Sequence, residues 1–154
     1  MIKPNNNIGD FLTFDAKQAR KNIKYGYNDT MKVFNKLHGK KYTFKDISYG
    51  YIKHGYFKSE NKLINTLEHL GKVFCLDDTK VYTIDNFNKH LCEELNNTKL
   101  VDKIGLKNIL QHKKRIRYIY NTFIVNDKKE LKKFEKPFNR DYKAAYYLYI
   151  NREV

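Results

Sequence analysis

A stripe of apolar residues near the middle of the chain constrains the fold most strongly. The stripe follows the positions i, i+1, i+4 and i+7, which are occupied by Leu63, Ile64, Leu67 and Leu70. In an α-helix these positions share one face. Ser59 is a suitable N-cap before the stripe, and Gly71 is a residue that commonly ends a helix. The pattern therefore predicts an amphipathic helix whose leucine face is buried in a core.

The segment that follows this helix predicts a β-hairpin. Residues 73–76 and 81–84 are rich in β-branched and aromatic side chains, which favour strands. The polar residues 77–80 between them are typical of a tight turn. Two strands around a four-residue turn are therefore expected.

Three further helices are predicted before the stripe. Phe11, Phe14, Ala19 and Ile23 roughly keep helical spacing, which predicts a first helix over residues 14–25 that ends at Gly26. A second helix, capped by residue 28 or 29, is expected to end at Gly39. Residues 42–44 have extended character, and residues 46–55 suggest a short third helix.

The order of helices followed by a hairpin is that of a winged helix-turn-helix. Residues 59–84 resemble the recognition helix and wing of that superfamily, with a polar N-cap, a Leu-x-x-Leu stripe, a Leu-Gly-Lys-Val exit and a short hairpin with a polar tip. The resemblance covers residues 29–84. It implies an N-terminal half that binds DNA or another protein through the helix.

The remainder of the chain predicts more helices. Phe87, Leu91 and Leu95 recur at intervals of four after the cap Asp85, and a short helix is expected from Thr98 to Ile104. Residues 109–123 fit a long helix, but residues 115–120 also fit a β-strand.

The last part of the chain continues this pattern. A lysine-rich helix capped by Asp127, with Leu131 and Phe134 inward, is expected to break at Pro137. Residues 144–150 form a final aromatic element. We therefore expect an α+β protein, mainly helical, with a winged-helix-like part over residues 1–97 and a basic helical or α/β part over 98–154 packed on it, or one continuous domain.

The charge of the chain points to its partners. Lys and Arg number 31 against 17 acids, a net charge of +14. Residues 1–97 carry +5 and the shorter segment 98–154 carries +9. An excess of this size favours a polyanion or an acidic protein surface as partner. We expect positive potential on one folded face; acids, histidines and thiols gathered in a cleft would indicate an enzyme instead.

The candidate binding residues form two groups. The first is the outward face of the helix over residues 59–71, together with the tip of the hairpin. It comprises Ser59, Asn61, Lys62, Asn65, His69 and Lys80. Asn and Lys side chains can read base edges in a major groove, and a helix N-terminus can bind phosphate. Glu60 and Glu68 on the same helix oppose this interpretation, because carboxylates repel phosphate.

The second group is the densest basic run, in which cations alternate with aromatic rings. It comprises Lys113, Lys114, Arg115, Arg117, Tyr118 and Tyr120. Guanidinium groups bind phosphate in a bidentate manner and tyrosine rings stack on bases. A second lysine cluster, over residues 128–136, is diluted by Glu130 and Glu135 and is interpreted as a solvated helix.

Several classes of function are disfavoured. No common catalytic motif is present, and no apolar run approaches the length that spans a bilayer. The candidate metal ligands His69, Cys75, His90 and Cys92 lack the paired spacing of a zinc site. The N-terminus has no features of a secretory signal. We therefore expect a cytoplasmic protein without catalytic activity, metal or cofactor.

Two hypotheses of function follow. The first is a non-enzymatic nucleic-acid-binding protein from a phage or mobile element, which contacts polyanion through its basic face. The alternative is an anti-CRISPR protein that inhibits a Cas9-type nuclease, which the chain resembles in size, AT-rich residue usage and an appended basic lobe. In that case tyrosines such as Tyr118, Tyr120, Tyr146 or Tyr147 are the expected anchors. The oligomeric state, the partner and any recognised base sequence stay open.

Overall fold

The computed structural model describes residues 15–45, 47, 57, 59–99 and 104–152. The described part is mainly helical with one small parallel sheet, which confirms the α+β prediction at this level. The helices are α1 Ala16–Val33, α2 Glu60–Val73, α3 Ile84–Asn96, α4 Leu106–Ile109, α5 His112–Ile124, α6 Lys128–Glu135 and α7 Asn139–Ile150. The strands are β1 Thr43–Phe44 and β2 Val81–Tyr82.

The described residues group into two compact units. The first is drawn from Met1–Glu68 and Asp77–Ile84, and the second from His69–Leu76 and Asp85–Val154. The division passes through α2 and does not follow the predicted boundary at residue 97. Residues 85–96 of α3 belong to the second unit with the C-terminal helices, and their apolar side chains Phe87, Leu91 and Leu95 are buried.

In the first unit the two strands lie parallel, with Thr43 opposite Val81 and Phe44 opposite Tyr82. Phe44 also exchanges two 2.9 Å backbone hydrogen bonds with His38 in an antiparallel bridge. The Phe44 side chain is fully buried, as are Leu63 and Leu67 of α2. The leucine stripe therefore faces a core, as predicted.

Glu68 binds the loop that precedes β1. Its carboxylate accepts backbone N–H groups of Lys40 at 2.7 Å, Lys41 at 3.2 Å and Tyr42 at 3.1 Å. Gly39 enters this loop with φ +100°, in the left-handed region that glycine adopts without strain. Glu68 is thus committed to the fold of the first unit and is not a free acid on the α2 surface.

The second unit is built from α3 and the C-terminal helices. Ile116 and Ile119 of α5 and Ala144 and Ala145 of α7 are fully buried, and the small alanines permit close approach of helix backbones. The Tyr147 hydroxyl donates to Asn88 Oδ1 of α3 at 2.8 Å. The predicted α3 face, formed by Phe87, Leu91 and Leu95, is buried.

The ends of α1 differ from the prediction. The helix continues through Gly26 and merges the two helices expected over residues 14–25 and 28–39. It ends at Val33, two residues before Asn35 adopts φ +54°, and Lys36 N–H donates to the Met31 carbonyl. The predicted apolar face was also wrong, because Ile23 is 72% exposed and Tyr25, Asn28 and Asp29 are buried instead.

The predicted hairpin is wrong. Val73 belongs to α2, and Phe74 N–H donates to the Leu70 carbonyl as a further helical bond. Cys75 then ends the helix in the left-handed conformation, with φ +56°, and Leu76 N–H donates to the Gly71 carbonyl. Residues 81–82 pair with β1 in parallel. The winged-helix resemblance therefore lacks its wing and otherwise stays a prediction.

The structure decides the alternative over residues 109–123. The basic run lies on helix α5, separated from α4 at Leu110, and is not a strand. Asp127 caps α6 by accepting the Glu130 N–H at 3.0 Å, as predicted, and Leu131 and Phe134 are buried. The expected helix over residues 46–55 lies outside the described residues, as does most of that over 98–104.

Gly26 and Gly39 give opposite predictions for the same substitution. Gly26→Ala should raise the free energy of unfolding by about 0.5–1 kcal/mol, because alanine favours the helix interior. A Cβ there meets no atom within 4 Å. Gly39→Ala should lower it by more than about 1 kcal/mol, since its Cβ would lie 2.3 Å from the Tyr42 carbonyl oxygen. Urea denaturation measures both; a stabilising Gly39→Ala would contradict the structure of this loop.

Candidate anion-binding site

A buried carboxylate organises the most distinctive polar cluster, which lies within the second unit. Asp141 is 1% exposed and stands in the first turn of α7, where the helix dipole favours a negative charge. Its Oδ1 lies 2.5 Å from His69 Nε2, and both of its oxygens lie 3.0 Å from His112 Nδ1. Its Oδ2 accepts Arg115 Nε at 2.5 Å.

Burial by itself raises the pKa of the Asp141 carboxyl. Hydrogen bonds from His69 and His112 and the charge of Arg115 outweigh this effect, so the pKa lies below its usual value. Asp141 is therefore ionised at neutral pH. Because the folded pKa is lowered, its stabilising contribution is present above the unfolded pKa and is lost as pH falls through the folded pKa.

Arg115 supplies the charge that compensates Asp141. It is buried, donates to the Ile109 carbonyl, and its terminal nitrogen lies 2.8 Å from His112 Nδ1. The guanidinium carbon lies 4.3 Å from the centre of the Phe138 ring. These contacts all lie within the second unit. The prediction that Arg115 contacts an external partner was wrong, because its charge neutralises a buried acid.

A cavity of about 370 Å³ opens beside this cluster. Its walls combine cations, two imidazoles, an amide and one aliphatic side chain. They are His69, Lys72, Val73, Gln111, His112, Lys113 and Arg140. Neither Asp nor Glu is among the described residues that line it. The cavity is therefore strongly positive.

The cations of the cavity differ in how they are compensated. Lys113 pairs with Glu94 at 2.7 Å and lies over the Phe74 ring. Lys72 and Arg140 are exposed and have no ion pair within the described part of the chain. These two side chains are free to bind an external anion.

The imidazoles also differ. His69 is 4% exposed and its Nε2 is committed to Asp141. The His112 side chain is 57% exposed, and its Nδ1 lies beside Asp141, which leaves Nε2 for a ligand. Gln111 and His112 are the N-cap and first residue of α5, whose first N–H groups lack partners within the helix. Unpaired N–H groups of this kind favour an anion at the start of a helix.

His69, His112 and Asp141 are also spaced as a metal site, with one donor atom each within 4.8 Å of one another. His112 and Asp141 were not among the ligands considered from the sequence. The guanidinium of Arg115 already binds this carboxylate and approaches His112 Nδ1. A metal ion would have to displace a buried cation, so the residues fit a metal poorly.

Most of the residues predicted on the α2 surface are exposed, and their role as a binding surface stays a prediction. Asn61, Lys62 and Asn65 are exposed, and the Ser59 carbonyl accepts the Lys62 N–H at 3.1 Å as the helix begins. Lys80 is exposed as well. Of the two opposing acids, Glu68 binds backbone and Glu60 pairs with His38 at 2.7 Å.

His69 was predicted wrongly as an outward residue of α2. It is buried because its imidazole binds Asp141, which is 72 residues away in the sequence. A helical wheel carries no information on such a partner. His69 therefore supports the cavity from within the second unit.

The basic run is only partly available to a partner. Lys114 donates to Asn108 Oδ1 at 3.2 Å, and the Tyr118 hydroxyl donates to Glu130 at 3.2 Å. Arg117 lies over the Tyr120 ring, 5.7 Å from its centre. The side chains of the run at these positions are half-buried, namely Lys114, Arg117, Tyr118 and Tyr120.

The structure bears on the tyrosine anchors and on the enzyme pattern that were considered from the sequence. Tyr147 is buried and cannot anchor a partner. An acid and two histidines do gather beside a cavity, which is part of the pattern expected of an enzyme, whereas Cys75 and Cys92 are not among its lining. Sequence reasoning missed Lys72, Gln111, Arg140 and Asp141, because they stand outside the basic run.

Comparison with protein-family models, with curated proteins and with solved structures finds no match for this chain. Among the described residues, none of the helices combines the length and apolar character needed to cross a bilayer.

Asp141→Asn should lower the free energy of unfolding by about 3–5 kcal/mol, because Arg115 would remain buried without its counter-charge. Urea denaturation at neutral pH measures the change. Glu135→Gln, which neutralises an exposed acid, is the control and should change stability by less than about 0.5 kcal/mol. A similarly small effect of Asp141→Asn would contradict the role given to this carboxylate.

Proposed function

We propose that the protein is a non-enzymatic nucleic-acid-binding protein that binds backbone phosphate in the basic cavity of its second unit. The observation that supports this most strongly is that two cations lining the cavity are not paired with a carboxylate. Lys72 and Arg140 face the cavity without a carboxylate partner within the described residues, while the inner cation Arg115 is neutralised. Uncompensated cations around a concavity attract phosphate.

The chemistry of the lining also favours this ligand. A guanidinium such as that of Arg140 can donate two parallel hydrogen bonds to phosphate oxygens, and an ammonium such as that of Lys72 acts as a point charge. The amide groups that begin α5 add uncharged donors. Contacts of this kind bind the backbone and do not read base sequence.

Base reading, if present, belongs to a different surface. The exposed residues Asn61, Lys62 and Asn65 on α2 retain their sequence-based interpretation as a surface that reads bases or binds protein. They belong to the first unit. The proposal does not depend on them, and Lys62→Ala tests this surface as the alternative site of contact.

The salt dependence of duplex binding tests the proposal. The logarithm of the association constant should fall linearly with the logarithm of salt concentration. Lys72→Ala and Arg140→Ala should each reduce that slope by about one, since each removes one phosphate contact. Lys62→Ala on α2 should leave the slope unchanged. Fluorescence anisotropy over a salt series measures all four proteins.

Absence of binding at low salt would overturn the proposal and leave the nuclease-inhibitor hypothesis, tested by co-purification and cleavage inhibition. A slope that falls for Lys62→Ala but not for the cavity variants would place the contact on α2 instead.

A catalytic use of the same cavity is the second candidate, favoured by the contact of the exposed His112 with Asp141. With RNA, His112 Nε2 would accept the proton of a 2′-hydroxyl as its oxygen bonds to the adjacent phosphorus. The bond from phosphorus to the 5′-oxygen would break, and that oxygen would take a proton from water. The binding experiment repeated with an RNA probe decides between the two candidates. Cleavage of the recovered RNA that His112→Ala abolishes would replace the non-enzymatic proposal.

A further inference from the structure

We infer that the basic cavity receives a terminal phosphate monoester at the end of a nucleic acid strand. This inference deepens the proposed function and rests on it. It specifies which phosphate of the polymer enters the cavity lined by Lys72, His112 and Arg140.

The charge of the cavity exceeds what one internal phosphate needs. An internal phosphodiester carries a single negative charge, whereas a phosphate monoester carries about −1.5 to −2 at neutral pH. Lys72, Lys113 and Arg140 all line the cavity, and Glu94 compensates only Lys113 among them. Two uncompensated cations match a dianion better than a monoanion.

The shape of the site favours a chain end as well. An internal phosphate is continued by a sugar on both sides, so it lies most easily on an open surface or along a groove. A terminal monoester has three free oxygens and only one continuing bond, so it can enter a concavity end-on. The cavity volume of about 370 Å³ is within the range of small-ligand sites and leaves room for the attached sugar.

The His112 ring and the helices that carry the two cations are held in place before a ligand arrives. His112 Nδ1 is fixed beside the ionised Asp141, so the imidazole presents its other nitrogen without loss of ring orientation on binding. Arg140 precedes Asp141 directly on α7, and Lys72 follows His69 by three residues on α2. Both flexible cations are thus carried by helices that the Asp141 cluster joins within the second unit.

The test compares short single-stranded and duplex DNA probes of one sequence that differ only at their ends. The ends carry a 5′-phosphate, a 3′-phosphate or hydroxyl groups alone, and an internal fluorophore reports binding by anisotropy at fixed low salt. Phosphorylated probes should bind about tenfold more tightly, since a hydrogen bond to a charged group contributes free energy of this order. Hydroxyl-ended probes one and two nucleotides longer, which add one and two negative charges, control for the added charge.

The cavity variants assign the preference to residues. Lys72→Ala and Arg140→Ala should reduce the ratio of affinities for phosphorylated and hydroxyl ends towards one, and Lys129→Ala, on the solvated face of α6, should leave the ratio unchanged. All three side chains are exposed, so the variants are expected to fold, which thermal unfolding verifies. A preference for the 5′-phosphate or for the 3′-phosphate identifies the end that enters.

The outcomes separate this inference from the proposed function. Equal affinity for all ends, with salt-dependent binding retained, would overturn the monoester inference and leave the phosphate-backbone proposal intact. A preference that survives in both cavity variants would also overturn it, because the end would then bind elsewhere. Failure of every probe to bind at low salt would overturn the proposed function itself.

Discussion

The second unit depends on one buried negative charge. A carboxylate as inaccessible as that of Asp141 is stable only when hydrogen bonds and a counter-charge replace the water it has lost. His69 from α2 and His112 and Arg115 from α5 provide these partners. Because these partners come from different helices, the Asp141 carboxylate keeps its hydrogen bonds only when α5, α7 and the C-terminal end of α2 lie in one arrangement.

The same arrangement determines which cations are left for binding. Arg115, in the densest basic run, is consumed by Asp141, and Lys113 is shared with Glu94. Lys72 and Arg140 stand outside that run but keep their charge available at the cavity. The proposed binding site thus follows from which cations are paired with carboxylates, and not from where cations are densest in the sequence.

The secondary structure was predictable where a pattern is local. The leucine stripe of α2, the buried face of α3 and the Asp127 cap of α6 all follow from residues within two or three helical turns. Helix ends were not predictable, because Asn35 and Cys75 adopt the left-handed conformation usually taken by glycine, while Gly26 stays helical. The predicted hairpin was wrong for this reason, because Val73 and Phe74 continue the helical hydrogen bonding of α2.

The site was predictable only in part, because its residues are distant in the sequence. His69 was selected as an outward position of the predicted helix and Lys113 as part of the basic run, but the burial of His69 is set by Asp141, which no local pattern connects to it. Lys72 and Arg140 lie next to the residues of the cluster, yet an isolated cation on a helix carries no signal of function. A tertiary contact converts such ordinary residues into a site.

Backbone amide NMR of the protein during titration with duplex DNA at low salt tests the central claim most directly. The account predicts the largest shift changes at Lys72, His112, Lys113 and Arg140, around the cavity, with Asn61 and Asn65 on α2 little affected. Changes concentrated at Asn61, Lys62 and Asn65, with none around the cavity, would contradict it and return the binding surface to α2.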